Sequence, residues 1–169
     1  MTSADISTVE IGFRLIPLLI LLGTGAMGAI VVLNNLTAPS ANLAFVRHIM
    51  TMDTTNMDQG TQWREINSPF LHRVAYGSIL VLEVAVTVLS LIGSYFLAIN
   101  LGAGQAVWDE AKLFGYLGFL VALVVWFLII QVVGAEWFVS WQSENWNAIR
   151  DSTRINLITL AGIIILRLA

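Results

Sequence analysis

About thirty consecutive residues, Pro69 to Ile99, carry a single acidic side chain, Glu83. No other feature constrains the fold as strongly. A stretch this long and apolar exceeds the roughly 20 residues that cross about 30 Å of hydrocarbon. Inside hydrocarbon a lone segment can satisfy its backbone polar groups only as an α-helix. At about 1.5 Å per residue the helix is about 45 Å long, so it must tilt or protrude. Ser68-Pro69 marks its start: a serine hydroxyl can accept from exposed amides of the first turn, and proline at the first helical position forfeits no hydrogen bond.

The remaining apolar runs lead to the same class. Residues 11–33 form a first span with Pro17 one to two turns in, where a kink is expected, and with Gly23, Gly25, Ala26, Gly28 and Ala29 as a close-packing face. The run could imitate a signal peptide, but Asp5 and Glu10 oppose the single Arg14 and the apolar stretch continues to Leu33, so an uncleaved span is expected. A third span covers residues 108–138, with Asp109 and Glu110 placed in its first turn and Gly115, Gly118 and Ala122 as a second small-residue edge. The last apolar run, from Ile155, is too short to cross, and a start near Trp146 gives a fourth span over residues 146–168. Arg150 and Arg154 then snorkel from its first turns. Charged residues are only 11% of the chain and hydrophobic residues 57%, about half the charge of a soluble domain.

The expected fold is therefore all-α, an integral membrane four-helix bundle forming one transmembrane domain over residues 1–169. Its largest extramembrane connection is 34–69. In it Pro39-Ser40 reads as a helix start, and Leu43, Val46, Ile49 and Met50 recur at helical spacing, which predicts a short interfacial helix. Trp63 and Ile66 predict a further turn of helix. Asn35-Leu36-Thr37 matches a glycosylation acceptor, but against a membrane end it carries no weight. Both termini fall on one side and the two longer connections on the other. Arg47, Arg64, Arg73, Arg150 and Arg154 against Arg14, Lys112 and Arg167 incline the long connections toward the cytoplasm.

Glu83 is the candidate functional residue, because an ionised carboxyl within a span costs about 2.5 kcal/mol or more unless paired, hydrated or protonated. At 100° per residue His72, Tyr76, Glu83, Thr87, Ser90 and Ser94 share one helix face, which should point into the bundle. Antiparallel packing in sequence order puts Thr24, Trp126 and Thr159 near the level of Glu83 as hydrogen-bond partners. Three roles compete: a tie between helices, a proton or ion relay, and contact with a lipid headgroup, quinone or other cofactor. His72, Tyr76, Glu83 and Thr87 would make that contact.

Other chemistry finds less purchase. His48 lies in a connection and His72 opens a span, so bis-histidine haem is disfavoured. A copper-type set of His48, Met50, Met52, Asp53, Met57 and His72 is an alternative. With no cysteine there is no thiolate site. No phosphate loop, metalloprotease helix or serine triad is present, so no enzymatic activity is expected. Scattered basic residues and a formal net charge of −3 argue against nucleic acid as a partner. Membrane lipids, bound lipid included, and other transmembrane subunits are the expected partners, with no cofactor.

The segment Phe45 to Thr55, Trp63-Arg64-Glu65-Ile66, Pro69 with His72, Tyr76 and Glu83, and the later Glu136-Trp137-Phe138, Trp141-Gln142-Ser143 and Trp146-Asn147 resemble a bacterial family of predicted small integral membrane proteins. The resemblance implies four spans in a proteobacterial inner membrane and brings no reaction or substrate with it. Together these readings point to an accessory or scaffold subunit of a larger inner-membrane complex, respiratory or photosynthetic. The alternatives are a small proton-coupled transporter using Glu83 and a metal- or redox-cofactor-binding membrane protein.

Overall fold

A computed structural model describes residues 6–55 and 60–169. Met57 lies outside the described residues. Every extended element among the described residues is helical. Helix α1, Thr8–Thr37, is capped by Ser7, whose hydroxyl accepts from the Glu10 amide at 3.1 Å. It runs on through Pro17 and extends past the expected 11–33 at both ends. Helix α2, Pro39–Thr51, begins at the proline and ends at Met52 in the left-handed region. A 3-10 turn, Gln62–Arg64, leads back to α3, Pro69–Ile99, capped by Ser68.

The third long helix is less regular than expected. It starts at Gln105 as α4, Gln105–Ala111, continues as α5, Leu113–Leu123, and widens into a π-helix over Val124–Trp137. Because the start lies ahead of Trp108, Asp109 and Glu110 do not occupy the first turn. Asp109 instead accepts from Lys112 at 2.7 Å and Gln105 at 3.0 Å. The π stretch holds Val124, Val125, Ile129, Ile130, Val132 and Val133. Such β-branched crowding weakens the preference for the α-helix. The final helix α6, Ile149–Leu168, starts three residues after the expected Trp146.

Among the described residues three helices are long and apolar enough to cross a membrane: Thr8–Thr37, Pro69–Ile99 and Gln105–Trp137. Only about a third of each apolar window is buried within the protein, and large side chains such as Leu19, Val81 and Leu120 face outward. This outward apolar surface is what lipid contact requires.

Helix α3 is central, with α1 on one side and α5 on the other. Without a hydrophobic force to separate protein from lipid, close backbone approach has to hold the helices. A Cβ on Gly28 would stand 2.6 Å from Thr87 Oγ1, and one on Gly118 would stand 2.7 Å from Ser90 Oγ. At Gly93 it would meet the Gly115 amide nitrogen at 2.6 Å. Both expected small-residue edges therefore grip the same helix, although Gly23 faces open space. Helix α6 packs on α5, the π-helix and α1, with Gly162 under the Phe119 ring.

The two ends of the bundle are closed differently. At one end Arg14, 1% exposed, donates to the carbonyls of Leu101 and Ala103 at 3.1 and 2.6 Å and lies over the Trp108 ring. Trp108 Nε1 donates to the Ala169 carbonyl at 2.8 Å, which joins the start of α1, the α3–α4 turn and the end of α6. At the other end α2, the first turns of α3 and the segment after the π-helix enclose Val46, Ile49, Met50, Met52 and Phe138. His48 stacks on Trp146, and Thr54 and Ser143 share a hydrogen bond at 2.8 Å.

Candidate functional site

The polar face read from α3 is buried as its periodicity requires. His72, Glu83, Ser90 and Ser94 are buried, and Tyr76 and Thr87 are partly so. Thr87 and Ser94 turn their hydroxyls onto α3's own carbonyls, of Glu83 at 2.9 Å and Ser90 at 2.8 Å. His72 Nε2 donates to the Ile66 carbonyl at 2.7 Å and thereby fastens the chain entering the helix.

Glu83 itself is 6% exposed, and its Oε2 accepts from Asn35 Nδ2 at 2.7 Å. The same amide donates to the Val31 carbonyl at 3.2 Å, and the Asn35 carbonyl accepts from the Tyr76 hydroxyl at 2.8 Å. Asn35 thus joins two residues of α3, two turns apart, to the last turn of α1. This corrects the expected partners. Thr24 gives its hydroxyl to Ile20, Trp126 packs with Val86, and Thr159 is buried on α6, whereas the donor to Glu83 is Asn35, the first residue of the discounted Asn35-Leu36-Thr37.

Register explains the discrepancy. Gly28 opposes Thr87, so the antiparallel pair brings Glu83 beside the end of α1, not its middle. From Arg14 to Asn35 α1 rises by about 32 Å. Glu83 and Tyr76 lie at one end of the α1–α3 contact, and α3 continues beyond them against α2. Helix α3 begins beyond the end of α1, so depth along α3 alone does not give the level of Glu83 against α1.

Among the described residues of the copper-type alternative, His48, Asp53 and His72 are engaged in hydrogen bonds. His48 Nδ1 donates to Asp53 at 2.7 Å while its Nε2 accepts from Arg47 at 3.1 Å. Met50 and Met52 are buried in the apolar cluster beneath, and His72 is spent on Ile66. Among the described residues no group of three or more His, Asp or Glu could hold a metal ion.

The features now in view are long outward-facing apolar helices, small-residue contacts and polar groups spent on ties between elements. A family model covers residues 13–169 and is described as a predicted small integral membrane protein. The chain belongs to that family, DUF2165. No curated protein and no solved structure matches the chain significantly. Membership of DUF2165 covers nearly the whole chain, both regions that carried the resemblance included, and it agrees with the helical architecture.

Proposed function

We propose that this DUF2165 protein is a non-catalytic accessory or scaffold subunit of a larger bacterial inner-membrane complex, respiratory or photosynthetic, crossing the membrane four times. The observation that carries this reading is the Asn35 tie. The most costly side chain of α3 is engaged in joining α1 to α3, with Tyr76 bonded to the same residue. That is the role of a packing element. Helix α6 has 20 residues, about 30 Å of helix, and turns Leu157, Leu160, Ile164 and Leu168 outward. These features support a fourth crossing, with α2 at the interface. The positive-inside bias favours the long connections on the cytoplasmic side.

Tagged protein purified from native membranes in mild detergent tests the role. Stoichiometric membrane subunits copurifying with it are expected; a lone chain would refute it. A small proton-coupled transporter is the second reading, favoured by the buried Ser90 hydroxyl and Asn156 side-chain amide, which have no hydrogen-bond partner among the described residues. Water could serve both. For that reading Glu83→Gln must abolish proton flux in proteoliposomes while leaving the fold intact, and unchanged flux removes it.

A further inference from the structure

On the connection side of Glu83, α2, α3 and the π-helix leave a cavity of about 710 Å³. Its volume lies within the range of ligand sites. Ile49, Ile79, Ile130 and Val133 supply apolar walls from all three elements, and among the described residues the charged ones lining it are Arg64 and Glu136. Both belong to segments that flank it, the 3-10 turn and the end of the π-helix.

Arg64 is held in place. It donates to the Trp137 carbonyl at 3.2 Å, and its guanidinium carbon lies 5.3 Å from the Trp63 ring and 5.0 Å from the Trp137 ring. Its Nε is buried and has no hydrogen-bond partner among the described residues. Tryptophan and arginine together at the end of an apolar chamber match the headgroup level of a bilayer. A fixed guanidinium is suited to bidentate recognition of phosphate.

We propose that this cavity binds an acyl chain of an amine-headed phospholipid of the phosphatidylethanolamine class, with the phosphate at Arg64 and the ammonium at Glu136. Charge complementarity selects this occupant. An acidic lipid such as phosphatidylglycerol would leave the Glu136 carboxylate without a cation and facing added negative charge. A quinone would bring carbonyl oxygens among walls that are apolar. The site is independent of the subunit role, since a scaffold or a transporter could equally carry it.

The test uses full-length protein, delipidated in mild detergent and titrated with phosphatidylethanolamine, phosphatidylglycerol or a long-chain quinone, with bound lipid read by native mass spectrometry. The wild type is expected to retain phosphatidylethanolamine over phosphatidylglycerol by about tenfold. Arg64→Gln should weaken both phospholipids by about tenfold, and Glu136→Gln should keep binding but lose the preference. Ile79→Trp, which narrows the chamber, should weaken retention of every lipid. Equal retention by wild type and Arg64→Gln would overturn the proposal, as would a wild-type preference for phosphatidylglycerol or quinone. If Arg64→Gln or Ile79→Trp fails to fold, Glu136→Gln decides: an unchanged headgroup preference in it also overturns the proposal.

Discussion

At the residue scale, Asn35 and Glu83 show how a membrane bundle accommodates a carboxyl. Hydrogen bonds between membrane helices average about 0.6 kcal/mol and reach about 1.7, so the tie itself adds little. Leaving one partner buried and unpaired costs more, about 1–3 kcal/mol. Glu83→Gln retains an acceptor for the Asn35 amide and should change stability by less than about 1 kcal/mol in a detergent unfolding titration. Glu83→Ala and Asn35→Ala should each lose about 1–3 kcal/mol, and the double variant should lose less than their sum. Additive losses would mean that the two side chains do not act as a pair.

At the element scale, glycine spacing places α3 between α1 and α5. The Gly93 position lies against the Gly115 backbone, which cannot swing aside as a side chain could. Gly93→Ala should therefore cost about 1–3 kcal/mol by forcing α3 and α5 apart. Gly23 faces open space, so Gly23→Ala should be neutral or stabilising by up to about 1 kcal/mol through helix propensity. Thermal unfolding of the two variants in one detergent separates them. Equal effects would contradict the packing of α3 between its neighbours.

At the scale of the whole molecule, Arg14 connects parts distant in sequence. Its guanidinium satisfies two carbonyls of the α3–α4 turn and pairs with Glu10 at 2.9 Å. Arg14→Met should leave those carbonyls short of a donor, lower stability by at least about 2 kcal/mol, and open the turn at residues 102–104 to proteolysis. Topology reporters test the proposed fourth crossing. A reporter after Ala169 should lie on the same side as one in the 100–104 turn and opposite one near Gly60. A reporter at Ala169 on the Gly60 side would mean that α6 does not cross.

The sequence by itself determined the helical membrane class and the starts of α2 and α3. Apolar length demands helices in hydrocarbon, and Ser68-Pro69 and Pro39 mark starts that depend only on local backbone chemistry. Periodicity likewise exposed the buried face of α3, because side-chain direction follows from the helical repeat. The partner of Glu83 was decided only by the tertiary structure. It depends on the sliding register of two antiparallel helices, set by Gly28 against Thr87, and a single helix contains no information about where its neighbour ends. The chamber beside the π-helix is of the same kind. It arises where α2, α3 and Val124–Trp137 meet, and only their packing determines the space left between them.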